Sequence, residues 1–148
     1  MRKLIVFLVV GVLATLVFAA LSSARPKGNS HTLKATLNAA QEVPKQVVAD
    51  ANAKGSFTGT LVGTKLTWKL TFSGLTGPAT AAHIHLGGMG KSGNVAVPLC
   101  TPCKSGMTGT ATVSKSVWNQ IEKHATYVNV HTGKNPAGEI RGQLSATG

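Results

Sequence analysis

Apolar and polar residues alternate with a period of two along most of this chain, after a leader of a different kind. The leader is an 18-residue apolar run without a charge, Leu4 to Leu21, placed behind Arg2 and Lys3 and followed by Ser22, Ser23 and Ala24. A basic start, an apolar middle and small residues at the end describe a secretory signal peptide over residues 1–24, cut before Arg25. The alternative is an uncleaved membrane anchor, because the run is close to the lower limit of about 17–25 residues for crossing a bilayer. Residues 25–31 read as a short polar tether, and residues 32–146 as one domain.

Within that domain Leu33, Ala35 and Leu37 alternate with Thr32, Lys34 and Thr36, the pattern of a half-buried strand. Phe57 and Leu61 continue the pattern. After a turn at Gly63-Thr64 come Leu66, Trp68, Leu70 and Phe72, which should anchor the core. Ala82, Ile84 and Leu86 form one face of a further strand, with Ala81, His83 and His85 on the other. A Gly-rich loop follows from Gly87 to Gly93, then apolar alternation at Val95, Val97 and Leu99, and a strand from Thr110 to Val113. The period changes once: Val117, Trp118 and Ile121 have helical spacing behind Ser114 or Ser116 as N-cap, which predicts one short helix near 116–123. Val128 and Val130, then Ile140 and Leu144, return to period two. Seven to nine short strands with turns between them predict an all-β fold, an antiparallel, Greek-key-like sandwich or barrel.

Composition agrees. Charged residues are only 13% of the chain against 43% hydrophobic, with 17 Gly and 6 Pro, which disfavours charge-driven disorder, coiled coils and helical bundles. Fifteen Lys and Arg face four Asp and Glu; without Arg2 and Lys3 the net charge is +9. Such a surface favours an anionic cell-envelope or extracellular partner through screened attraction, and also serves solubility alone. Nucleic acid is not expected, because the lysines are scattered singly with no aromatic interleaving. A membrane enters only through an uncleaved leader, and the expected state is a monomer.

The last hairpin carries the densest chemistry. Asn135-Pro136-Ala137-Gly138 supplies its turn. Symmetric pairing places His131 opposite Glu139, Asn129 opposite Arg141 and Tyr127 opposite Gln143. These form one polar face, either a solvated sheet surface or a contact surface, with an ion pair available to Glu139 and Arg141. His83 and His85 share one side of a strand and could hold a single ion together with His131. Three neutral imidazoles suit copper or zinc. The His-x-His strand plus a later strand histidine is similar to the copper site of copper/zinc superoxide dismutases. The bridging histidine, the zinc-loop ligands and a matching active-site arginine are not found, so dismutase activity is not expected. The same histidines could equally hydrogen-bond within a packed polar face. His31 and His124 read as exposed.

Cys100 and Cys103, in Cys-Thr-Pro-Cys, read as a local disulfide in an exported protein. A thiol–disulfide role would require the pair to precede a helix, and Gly106 and Gly109 follow instead. Cysteine ligation of zinc together with His83 and His85 is disfavoured by oxidising conditions. No nucleophile elbow, P-loop, His-Glu-x-x-His or dinucleotide fingerprint occurs, so no enzyme is expected.

Four blocks taken in order, Leu37-Asn-Ala-Ala-Gln-Glu-Val-Pro44, Thr76-Gly-Pro-Ala-Thr-Ala-Ala-His-Ile-His85, Tyr127-Val-Asn-Val-His-Thr132 and Asn135-Pro-Ala-Gly-Glu-Ile-Arg-Gly-Gln-Leu144, resemble the CHRD domain, the module named after chordin. Lys45 departs from the pattern, where a second proline often follows. The resemblance implies an extracellular, β-rich, single-copy module and carries no mechanism of its own. The leading expectation is a secreted or surface-exposed, non-catalytic module that binds an envelope or extracellular partner through its polar face. Copper or zinc binding is the second reading and thiol–disulfide chemistry the third.

Overall fold

The structure, a computed structural model, describes residues 29–46 and 50–148. The apolar leader and most of the tether lie outside the described residues. Strand β1 (Ser30–Asn38) begins the described domain and ends in a single 3-10 turn, Ala39–Gln41, capped by the Asn38 side chain accepting from the Gln41 N–H. Strands β2 (Lys54–Val62) and β3 (Lys65–Ser73) form a hairpin in which Val62 faces Lys65. The two residues between them are Gly63 and Thr64. Gly63 has φ of +59°, a left-handed backbone that glycine adopts without steric cost. The remaining strands are β4 (Ala79–Leu86), β5 (Val95–Cys100), β6 (Met107–Thr112), β7 (Thr126–Thr132), β8 (Ile140–Gln143) and β9 (Ser145–Thr147), with helix α1 (Lys115–Glu122) between β6 and β7.

All pairings are antiparallel, in the order β5-β4-β7-β8-β1-β2-β3-β6, and β9 adds to β1. The two end strands, β5 and β6, are consecutive in the chain and pack near each other, so the sheet curls into a nearly closed barrel. A disulfide between Cys100 and Cys103 clips the connection between them, and the Cys103 N–H donates to the Ala79 carbonyl.

The inward face is the one set by the alternation. Leu33, Leu37, Phe57, Leu66, Trp68 and Leu70 fill one half of the barrel, and Ile84, Val128, Val130, Ile140 and Leu144 fill the other, all at most 3% exposed. Phe72 sits at the rim of this core and is only partly buried. Ser114 caps α1 by accepting from the Val117 N–H, and Ile121 is buried among the core residues. His31, expected to be exposed, is instead half-buried, with its ring 4.3 Å from that of Trp118 on α1; His124 is exposed.

The outward face of β7 departs from the expected pattern. Every residue of β7 is buried on both sides of the sheet. The Gly-rich connection after β4 folds back over this face: the Leu86 N–H donates to the Asn94 carbonyl, Gly87 N–H to Ala125 carbonyl and Gly93 N–H to the Tyr127 hydroxyl. A polar stripe on a strand is therefore no guarantee of solvent, because a loop can cover it and satisfy it.

Candidate metal centre

Tyr127, Asn129, His131, Arg141 and Gln143 emerge on the covered face because β7 and β8 pair in the register that the turn implies, Asn129 opposite Arg141 and Tyr127 opposite Gln143. Each then finds a separate anchor. Gln143 Nε2 donates to the carbonyls of Gly87, His124 and Thr126. Arg141 Nη2 donates to the Gly88 carbonyl, and the guanidinium lies 3.5 Å from the centroid of the Tyr127 ring. Asn129 Nδ2 donates to both carboxyl oxygens of Glu42, at 2.8 and 3.0 Å. Glu42 is buried, and burial pushes its carboxyl up to about 7 against the opposing pull of Asn129 and Arg141.

Glu139 is not a partner of either His131 or Arg141, and the expected ion pair along the strand does not form. Its carboxylate turns the other way. It accepts from the Thr76 N–H (2.5 Å), the Thr76 hydroxyl (2.7 Å), the Thr132 hydroxyl (2.6 Å) and Asn135 Nδ2 (2.9 Å). Burial pushes this carboxyl up, but hydrogen bonds from Thr132, Asn135 and Thr76 outweigh it and hold it below the usual carboxylate range. Glu139 thus clamps the 133–138 turn to the segment preceding β4.

The three histidines do come together. His83 and His85 project from the same side of β4, whose ladder to β5 slips between Ala82 and His83 and again between Ile84 and His85; such irregularities re-aim side chains. His131 stands on β7, diagonal to His83, because Asn129 is the direct partner of His83. One ligand atom from each ring lies within 4.8 Å of the others, and His83 Nδ1 is 3.1 Å from His131 Nε2.

Hydrogen bonding fixes which nitrogens face the centre. His131 Nδ1 is 3.0 Å from the Pro136 carbonyl and His85 Nδ1 is 3.0 Å from the Gly93 carbonyl. A carbonyl only accepts, so both Nδ1 atoms carry the proton and both Nε2 atoms present a lone pair. His85 Nε2 is buried without a hydrogen-bond partner among the described residues. His83 Nδ1–H then donates to His131 Nε2. All three imidazoles titrate below the usual histidine value. Burial is the main cause in each: mutual repulsion adds to it for His83 and His131, and Arg141 adds to it for His85, while the carbonyl bonds of His85 and His131 oppose it. His131 is pushed down to about 4. The cluster is neutral at pH 7, the state in which imidazole binds metal.

Sequence reasoning reached the three imidazoles but missed their supports, the carbonyls of Gly93 and Pro136 and the pairing of Glu42 with Asn129. Backbone acceptors leave no trace in side-chain pattern. Glu42 and Asn129 do each stand in one of the four blocks, a signal that they belong to one arrangement.

Fold and site together define a barrel-like antiparallel β module with a loop-covered histidine cluster on its outer face. The chain belongs to the CHRD family: the CHRD domain model matches residues 33–144. No curated protein and no solved structure shows significant similarity to it.

Proposed function

We propose that this CHRD module is an exported metal-binding protein that holds one copper or zinc ion through His83, His85 and His131. Family membership and a disulfide point toward an exported module. The observation that carries the metal reading is the pairing of each inward lone pair on His85 and His131 with an outward N–H donated to a carbonyl, at 3.0 Å in both cases. That outer-shell arrangement fixes the tautomer and orients a metal-ligating imidazole. The 3.1 Å separation of His83 Nδ1 from His131 Nε2 is close to the roughly 3.3 Å between two nitrogens on one tetrahedral ion with bonds near 2.05 Å. Binding moves the His83 proton from Nδ1 to Nε2, which frees the third lone pair. His85 Nε2 is buried with its lone pair unpaired among the described residues, as an open ligand position requires.

The polar face is poorly suited to be a macromolecular contact surface, since Tyr127, Asn129, Glu139 and Arg141 are all at most 4% exposed. A thiol–disulfide role finds little support either, because Cys103 is buried and the element that follows the pair is strand β6, not a helix.

Titration of the purified protein with Cu and Zn, followed by elemental analysis after desalting, tests the assignment. One equivalent retained per chain is expected, falling below a tenth of an equivalent in His83→Ala/His131→Ala. Less than half an equivalent in the parent protein, or unchanged retention in the double variant, refutes it.

A further inference from the structure

The donor set and its surroundings carry a preference among ions, an inference that rests on the three-histidine site itself. We propose that this site favours the monovalent ion, binding Cu(I) more tightly than Cu(II) or Zn(II), because a buried guanidinium stands one aromatic ring behind His85. Three observations support this.

First, the ligands bring no negative charge. All three donors are imidazoles, and the acceptors behind His85 and His131 are backbone carbonyls where divalent sites commonly place carboxylates. Among the described residues, no charged group in the first or second layer of contacts offsets the charge of a divalent ion.

Second, the fixed charge beside the site is positive. The Tyr127 ring stacks on His85 with centroids 5.0 Å apart, and the Arg141 guanidinium sits 3.5 Å from the same ring's centroid. Arg141 is 2% exposed, so water screens it weakly. Its repulsion of a divalent ion is twice that of a monovalent one.

Third, the carboxylates on this side of the barrel make no direct ion pair with Arg141, and Glu42 acts on it only from a distance. Glu42 is hydrogen-bonded to Asn129, and Glu139 is taken up by Thr76, Thr132 and Asn135. Neither forms an ion pair with the guanidinium among the described residues. Arg141 Nη1 has no hydrogen-bond partner among the described residues. Three nitrogens also suffice for Cu(I), whereas Zn(II) would need a water as fourth ligand beside the guanidinium side of the site and Cu(II) a tetragonal arrangement.

The test compares affinities in the purified protein: Cu(I) by competition with a chromophoric Cu(I) chelator under anaerobic ascorbate, Cu(II) by competition with glycine, and Zn(II) by a fluorescent zinc indicator. Cu(I) is expected to bind at least about tenfold more tightly than either divalent ion. Arg141→Gln should narrow that gap by about tenfold, and Arg141→Lys, which keeps the charge, should preserve it. Glu42→Gln leaves the guanidinium in place, removes a carboxylate charge that is mostly present at pH 8 and should disfavour Cu(II) further. It serves as the charge test if Arg141→Gln does not fold. Cu(II) or Zn(II) binding as tightly as Cu(I), or a ratio indifferent to the charge variants, overturns the preference while leaving the site intact. Failure to bind any of the three ions refutes the site itself.

Discussion

Glu42 and His131 titrate abnormally for the same physical reason, burial, yet they tilt stability in opposite directions. Burial raises Glu42 from its ordinary value to about 7, so between pH 4.5 and 7 the folded chain holds a proton that the unfolded chain has released. Stability from this group is complete below pH 4.5 and is lost as pH rises through 7, by about 3 kcal/mol in all. His131 is lowered to about 4, so between pH 4 and 6.5 the unfolded chain holds the extra proton, and stability from this group is lost as pH falls. In the parent protein the two trends partly cancel across the acid range. Glu42→Gln keeps an acceptor for Asn129 Nδ2 and removes one of the two titrations. Its denaturation midpoint should climb between pH 4 and 6.5 and hold at pH 8, where the parent has declined. Parallel midpoint curves for the two proteins would show that Glu42 is ionised normally.

At the scale of strands and turns, Glu139 supports the site without touching it. It fastens the turn that carries the Pro136 carbonyl, and that carbonyl orients His131. Glu139→Gln replaces one accepting oxygen with a donating NH2, which the Thr76 N–H and Asn135 Nδ2 cannot use and which a threonine hydroxyl accepts only by giving up its present donation. The expected cost is about 2–4 kcal/mol in urea denaturation, together with weaker metal binding as His131 loses its fixed orientation. Full metal affinity in a destabilised variant would separate the turn from the site. This clamp marks where sequence reasoning stopped. Period two specified the inward faces of β1 to β4 and the register of β7 on β8, because a slip of one residue would take Val128 and Val130 off the core face. The outward burial of Asn129 and Arg141 was not legible. It depends on the Gly-rich connection and the segment around Glu42 folding over β7 and β8, and such segments have no periodicity. The partners of Glu139 were hidden for the same reason, since Thr76 is 63 residues away in the chain.

The burial of these carboxylates changes the charge of the whole molecule as its surroundings meet it. Of the four acidic residues, Glu42 and Glu139 are inside, which leaves only Asp50 and Glu122 exposed. Lys34, Lys45, Lys54, Lys65, Lys69 and Lys91 are exposed, as are Lys104, Lys115, Lys123 and Lys134. The outer surface is thus more one-sided than the sequence count suggests, and its positive charge is distributed over many strands and loops without one concentrated patch. Attraction to an anionic envelope should accordingly be long-ranged, weak per contact and indifferent to the detailed chemistry of the polyanion. Sedimentation with vesicles containing about a third anionic lipid should retain the protein at 20 mM salt. It should release the protein at 0.5 M, where the screening length has fallen to about 4 Å. His83→Ala/His131→Ala should sediment like the parent, because the lysines and not the histidine cluster supply the attraction. Retention that persists at 0.5 M salt would require a specific contact surface in place of the diffuse charge.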